Sequence, residues 1–260
     1  MPFLNLEQGS PEWLQARRGL ITGSRFKDAR DRSSGLDQKQ TDYVTAVRSG
    51  KTPDEARALA GYRAPPRAEA VDLAIKNGIQ LVWGAKAIAY ARDIARERLG
   101  GTSPSKFQNT AMKTGTEQEP KARAMYEART GYMVDEVSLY VTEDRRFGCS
   151  PDGMIEDDGT LEVKTMYSSD TLFQAVVDGD LSEYMDQCIG YHWLLARRWV
   201  DLALWIHDME RLIVIRIERD EGAVEALEAD LVAFAALVDE QEKKLRAALA
   251  ANDQQAKQAA

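Results

Sequence analysis

The sequence predicts an α/β fold: a mixed central β-sheet flanked by helices and preceded by a helical N-terminal region. Three observations carry that expectation. The first hundred residues alternate helical patterns with glycine-, serine- and proline-bearing loops. Residues 134–167, and later the runs ALWIH and LIVIRI, are rich in apolar and β-branched residues. From Val224 onward, apolar side chains return every three or four positions. With 260 residues, 44% of them apolar and no internal repeat, the chain can bury a sizeable core and is expected to form a single domain over 1–260. Its blocks are a mainly helical region at 1–100, a core at 101–218, a C-terminal helix at 219–250 and a frayed tail at 251–260.

Element by element, Ser10 before Pro11 reads as an N-cap before a first-turn proline, opening a short helix over Glu12 to Leu20. A second short helix is expected over Thr22 to Arg30. DRSSG at 31–35 and GYRAPP at 61–66 read as loops, with helices at 39–48 and 53–60 between them. Arg67 to Leu99 reads as one long alanine-rich helix, with Gly78 and Gly84 as break points and Gly100-Gly101 as its stop. The stretch GTSPSKFQNTAMKT is expected to be flexible, and a helix over Gly115 to Thr130 should end at Gly131. Val134 to Val141, Phe147 to Ile155 and Thr160 to Tyr167 then read as an antiparallel meander, with EDDG turning between the last two. Helices near 170–177 and 181–196 lead to ALWIH and LIVIRI, two nearly buried strands of the same sheet. Val224, Leu227, Leu231, Phe234, Val238 and Leu245 mark the amphipathic C-terminal helix.

Composition narrows the function. Lys and Arg number 34 against 42 Asp and Glu, a net charge of −8, which argues against a generic basic nucleic-acid coat or a polybasic membrane binder but leaves room for a local basic groove. Cys149 and Cys188 are too few for a disulfide scaffold or a thiolate zinc site, even with His192 and His207, and a reduced cytoplasm is the simplest home. The N-terminal segment has no charged start followed by an apolar run, and no run of 18 apolar residues occurs, so neither a secretion signal nor a membrane span is expected.

The sharpest chemistry lies in CSPDGMIEDDGTLEVKT. Strand alternation puts Glu162 and Lys164 on one face and Val163 on the other. If the EDDG turn folds the preceding strand back, Asp152 comes beside Glu162, and the two carboxylates with the main-chain carbonyl of Val163 would suit one hard cation such as Mg2+. A cation beside Lys164 would serve phosphodiester hydrolysis. Taken alone, E-x-K equally describes a solvated ion pair on an edge strand, worth at most about 1 kcal/mol, and SPDG describes an ordinary turn.

Five segments taken in order change the weight of that motif. SPEWLQARRGLITGSRF (10–26), GTEQEPKAR (115–123), GCSPDG (148–153), LEVKT (161–165) and EYMDQCIGYHW (183–193) together resemble the bacteriophage lambda-type exonucleases, also called YqaJ-like viral recombinases, within the PD-(D/E)XK nuclease superfamily. The resemblance implies a restriction-endonuclease-like core with Asp152 and Glu162 as metal ligands, Lys164 as the catalytic lysine and Glu119 completing the catalytic set through the metal or its waters. It makes Tyr184 and Gln187 supports for the carboxylates, and Arg17, Ser24 and Ser150 the pocket for a terminal 5′-phosphate. Without the resemblance, Glu119 reads as half of an ion pair with Arg123 one turn away. Arg17 likewise reads as a solvated helix charge, and the serines as local turn or cap residues.

The implied activity is a Mg2+-dependent 5′ to 3′ exonuclease, with Mn2+ as a substitute, acting on linear double-stranded DNA and releasing 5′-mononucleotides. It would leave 3′ single-stranded tails for phage or prophage recombination in the host cytoplasm. The implied partners are two further copies in a ring-shaped homotrimer and a single-strand annealing protein. The alternatives are a structure-selective or endonucleolytic relative and a non-catalytic DNA-end-binding module. Residues 31–79 carry no family motif, so no strand-separating wedge is named there. The cations of this stretch and its borders, Arg30, Arg32, Lys39, Arg48, Lys51, Arg57, Arg63 and Arg67, suit sequence-neutral phosphate contact or simple solvation. Trp13 falls inside the first matched segment, while most of Trp83, Trp193, Trp199 and Trp205 sit in apolar patterns and read as core.

Overall fold

The computed structural model describes residues 3–102 and 110–259. The chain divides into two compact units, Met1–Arg30 with Ala89–Ala260, and Asp31–Ile88. The sequence block 1–100 therefore does not coincide with one unit.

The larger unit opens with α1 (Pro11–Arg17), whose N-cap Ser10 accepts the Trp13 amide at 3.1 Å. Then come β1 (Ile21–Thr22), a single 3-10 turn over Gly23–Arg25, and α2 (Phe26–Ala29). The smaller unit contains β2 (Arg32–Ser33), α3 (Gln38–Arg48), α4 (Pro53–Leu59), α5 (Glu69–Asn77) and β3 (Val82–Trp83). Capping boxes at Asp37/Gln40 and Thr52/Glu55 start α3 and α4, and Tyr43, Val44, Ala56, Val71 and Ala74 form the unit's core. DRSSG is not wholly loop, because its Arg32 and Ser33 pair antiparallel with β3, with the Arg32 guanidinium 4.1 Å from the Trp83 ring centroid. The single helix expected over 67–99 is three elements, α5, β3 and α6 (Ala85–Arg98). Gly78 ends α5 at φ 89°, and at Gly84 a Cβ would meet the Asp31 carboxylate at 2.2 Å.

The rest of the larger unit runs α7 (Thr110–Thr130), β4 (Tyr140–Val141), β5 (Phe147–Cys149), β6 (Gly153–Ile155), β7 (Gly159–Thr165), α8 (Ser169–Val176), α9 (Ser182–Leu195), β8 (Trp199–Ile206), β9 (Arg211–Glu218) and α10 (Glu221–Ala259). Residues 103–109 of the stretch expected to be flexible lie outside the described residues, and its last part is already helical in α7. α10 likewise continues through most of the segment expected to fray, whose Ala, Gln and Lys residues are tolerant of helix.

The expected meander is divided between two sheets. β5 pairs with β4 antiparallel and β1 parallel, whereas β6 begins a four-stranded mixed sheet of order β6-β7-β8-β9. Ser150, Pro151 and Asp152 are the crossing point, and Pro151 has no N–H with which to continue a ladder. Upstream, only Tyr140 and Val141 of the expected 134–141 strand join a ladder, while Asp135 bridges to Met154 and Leu139 to Leu4. Those bridges tie the segment to two different partners, so it cannot run as one regular strand.

Side-chain parity then assigns the faces of the larger sheet. Leu161, Ala203, Trp205 and Leu212 pack with Ala122 and Tyr126 of α7, while Val200, Leu202 and Leu204 pack with Cys188 and Tyr191 of α9. Because Glu162 is in register with Leu202 and Lys164 with Leu204, both reactive side chains emerge on the α9 face.

Candidate active site

The β6–β7 hairpin turns through residues 156–158, with Glu156 in the left-handed region at φ 48°, and pairs Gly153 with Leu161. One step further along this register stands Asp152 opposite Glu162. Asp152 Oδ2 accepts the Val163 amide at 2.7 Å, so the end of the β6 strand is tied to β7 by a side chain. Lys164 Nζ lies 2.6 Å from Glu162 Oε1 and donates to Gln187 Oε1 at 3.0 Å. Gln187 Nε2 donates to Glu162 Oε1 at 2.6 Å, and the Tyr191 hydroxyl donates to Glu162 Oε2 at 2.5 Å.

α9 runs against the direction of β7, and this explains which of its residues reach the carboxylates. Tyr184 stands over Met166, with its hydroxyl 4.0 Å from the sulfur; one turn later Gln187 meets Lys164 and Glu162; a further turn brings Tyr191 to Glu162. Among the described residues Tyr184 hydrogen-bonds no carboxylate, unlike the sequence expectation, whereas Tyr191 hydrogen-bonds Glu162. Its signal was present in the sequence, since 187 and 191 share a helix face, but the antiparallel run of helix and strand was not.

The electrostatics follow from crowding. Burial, then the charges of Glu162 and Glu119, push the Asp152 carboxyl well above the usual carboxylate range. Glu119, on α7, is also raised, first by burial and then by Glu162 and Glu136, with Arg123 opposing. The carboxylate paired with Arg123 is Glu136, at 3.0 Å, and no salt bridge to Glu119 is present among the described residues. Burial alone would lower the Lys164 pKa, yet Glu162 and Asp152 raise it, so the ammonium is held. A hard divalent cation fits this donor set: two adjoining carboxylates, one of them buried against like charge. No group of three His, Cys, Asp or Glu side chains close enough to hold a metal occurs among the described residues.

Asp152, Glu162, Lys164, Gln187 and Tyr191 line a cavity of about 180 Å³ together with Arg17, Ser24, Ser150, Thr22 and Trp13. Arg17 Nη2 donates to Ser24 Oγ at 2.8 Å and Thr22 Oγ1 at 3.0 Å, and its guanidinium lies 4.8 Å from the Trp13 ring centroid. No carboxylate pairs with it within 4 Å among the described residues, and burial lowers its pKa. Ser150 Oγ is buried without a hydrogen-bond partner among the described residues. Thr22 is a cavity residue that the sequence reading passed over.

Other expectations resolve differently. Arg30 is held by Asp186 at 2.5 Å and Asp230 at 2.9 Å rather than standing free for phosphate. Arg48 and Arg57 donate to main-chain carbonyls, whereas Lys39, Lys51, Arg63 and Arg67 are exposed. His192 is buried with Nδ1 2.9 Å from the Arg197 carbonyl.

The sequence matches the YqaJ-like viral recombinase domain over residues 12–195. The chain belongs to that family. Among solved structures, this YqaJ-like chain is similar to the alkaline exonuclease LHK-Exo from Laribacter hongkongensis, at 26% identity over 93% of this chain and 98% of that one, with a TM-score of 0.63. The same figures hold for LHK-Exo in complex with dAMP. A phage-related exonuclease from Haemophilus somnus 129PT aligns at 16% identity over 69% of this chain and 90% of that one, with a TM-score of 0.49. No curated protein matches the sequence. The family and LHK-Exo agree with the mixed α/β, restriction-endonuclease-like core described above.

Proposed function

We propose that this chain is a Mg2+-dependent exonuclease, with Mn2+ as a substitute, that digests one strand of linear double-stranded DNA from its 5′ end. It releases 5′-mononucleotides and leaves 3′ single-stranded tails for phage-type recombination. The observation that carries this reading is the joining, in one cavity, of the Asp152–Glu162–Lys164 cluster with Arg17, which has no carboxylate within 4 Å among the described residues. The carboxylate side suits a cation and the arginine side suits an anion, and a DNA end brings its own phosphates to both. Membership of the YqaJ-like family and similarity to an alkaline exonuclease support the nuclease class. The dAMP complex of LHK-Exo accords with a mononucleotide product.

In this reading Asp152, Glu162 and the main-chain carbonyl of Val163 would hold the cation, and Glu119 would complete the set directly or through water. A bound divalent cation supplies neutralisation of the charge that develops on the scissile phosphate. Lys164 orients the attacking water and offers an N–H to the developing charge. Arg17, Ser24 and Ser150 hold the terminal 5′-phosphate, and the Ser150 hydroxyl, without a hydrogen-bond partner among the described residues, is a ready donor for it. Gln187 keeps Lys164 and Glu162 in place, while Tyr184 packs behind them. The proposed working form is a ring-shaped homotrimer in the bacterial host cytoplasm, acting with a single-strand annealing protein.

The test is digestion of blunt linear duplex, each strand labelled separately and only one carrying a 5′-phosphate, with Mg2+ or with chelator. Mg2+-dependent loss of the phosphorylated strand as mononucleotides is expected, and Arg17→Ala should remove most of the preference for that strand. Internal cuts, or cleavage of closed circular DNA, would make the chain an endonuclease. Well-folded protein that binds ends yet cleaves with neither Mg2+ nor Mn2+ would make it a binding module.

A further inference from the structure

We infer that Tyr191 is the positioning residue for Glu162: its phenol fixes the rotation of that carboxylate and so decides which oxygen faces a divalent cation. The inference rests on the nuclease reading of the same cavity and adds a residue to which neither the sequence motifs nor the resemblance gave a role.

The hydrogen bonds around Gln187 have one consistent direction. Lys164 Nζ has no lone pair to offer as an ammonium, so the Gln187 atom 3.0 Å away is the accepting oxygen. That orientation turns both amide N–H groups the other way, one to Glu162 Oε1 at 2.6 Å and one to the Tyr191 oxygen at 2.7 Å. The Tyr191 oxygen accepts there, and its single proton is committed to Glu162 Oε2 at 2.5 Å; the Ser150 carbonyl, 3.5 Å away, is too far to compete.

The consequence for Glu162 is a division of labour between its oxygens. Oε1 takes two donors, Lys164 and Gln187, and has no lone pair left. Among the described residues Oε2 takes only Tyr191 and keeps one lone pair. That remaining lone pair is what Glu162 offers to a cation shared with Asp152, and the phenol on the same oxygen sets its direction. Tyr191 is fully buried, so its ring is clamped by packing and the phenol cannot swing away. Partners that orient a metal ligand without touching the metal commonly govern affinity or rate by about 10- to 100-fold.

The experiment compares wild-type protein with Tyr191→Phe, which keeps the ring and deletes the hydroxyl. Mn2+ binding to the metal-free full-length protein is followed by the electron paramagnetic resonance of free Mn2+, alongside kcat and KM on linear duplex. Expected are a Mn2+ affinity weakened by about 10-fold or more and a kcat lowered on the same scale, with KM for DNA within about twofold. Gln187→Leu is the second variant. Both changes act through one carboxylate, so the double variant should lose less than the product of the single losses. Wild-type Mn2+ affinity in Tyr191→Phe overturns the inference, as does a wild-type protein that binds no Mn2+. If Tyr191→Phe does not fold, Gln187→Leu with wild-type Mn2+ affinity overturns it instead. If wild-type protein binds Mn2+ but cleaves no DNA, the nuclease reading fails, and weaker binding in Tyr191→Phe still supports the positioning role.

Discussion

Lys164 shows how one side chain acquires a role from its neighbours. Its Nζ is shared between Glu162 at 2.6 Å and Gln187 at 3.0 Å, which holds it on the face where Asp152 meets the Val163 amide. Lys164→Ala removes the only cation bonded to Glu162 among the described residues. Cleavage of linear duplex should fall by about 10²- to 10⁴-fold, while binding of DNA ends, measured by fluorescence anisotropy in chelator, stays near wild type. Retained cleavage would remove Lys164 from the reaction. The asymmetry of the cavity is also set residue by residue: Glu162 is 3% exposed and saturated on one oxygen, whereas the Arg17 guanidinium hydrogen-bonds hydroxyls alone among the described residues.

Two packing features hold the elements that present these residues. α9 can approach α2 closely only because residue 190 is glycine, where a Cβ would meet Phe26 Cε2 at 2.5 Å. Phe26 is fully buried and touches Trp193, with ring centroids 6.4 Å apart, so it has little space to yield. Gly190→Val should destabilise the fold by about 1–3 kcal/mol, read from urea unfolding, and lower turnover as well, because α9 carries Gln187 and Tyr191. Undiminished stability would mean that α9 and α2 are less tightly apposed. On the opposite face, Asp201 of β8 receives the Tyr126 hydroxyl at 2.5 Å and Arg216 in a bidentate pair at 2.8 Å, joining β8, β9 and α7. Burial, with Asp201 next, raises the Tyr126 pKa. Asp201→Ala leaves that phenol without its partner and should cost about 2–4 kcal/mol in the same unfolding assay, less than a fully enclosed pair because Arg216 reaches solvent. A cost near zero would mean that the network adds nothing net.

For the molecule as a whole, His192 links stability to pH. Burial lowers its pKa below the ordinary histidine value, against the opposing pull of the Arg197 carbonyl. Its neutral form uses Nδ1–H toward that carbonyl, while Nε2 is buried with no partner among the described residues, so protonation would place an unmatched N–H in the core. As pH falls below about 6.5, the unfolded chain takes up this proton before the folded one, and stability is lost until the folded value is reached. His192→Gln should therefore lose less unfolding free energy than wild type between pH 7.5 and 5.5. Equal losses would assign the acid sensitivity to other groups. Global charge acts on another level: a net charge of −8 coexists with an arginine-bearing cavity because charge along a sequence says little about where it gathers.

Much of the site was legible in local rules. The period of a strand puts Glu162 and Lys164 together, the EDDG turn returns β6 along β7, and the period of a helix aligns the buried face of α10. These depend on backbone geometry over a few residues, which the sequence by itself determines. The tertiary structure alone decided that the strand expected over 147–155 divides between two sheets, and that Arg30 is consumed by Asp186 and Asp230. It also decided that Tyr191, rather than Tyr184, reaches Glu162. Those outcomes depend on the direction in which one element crosses another and on which distant side chains fill the same space. Such contacts are selected by packing the whole core, and no local periodicity encodes them.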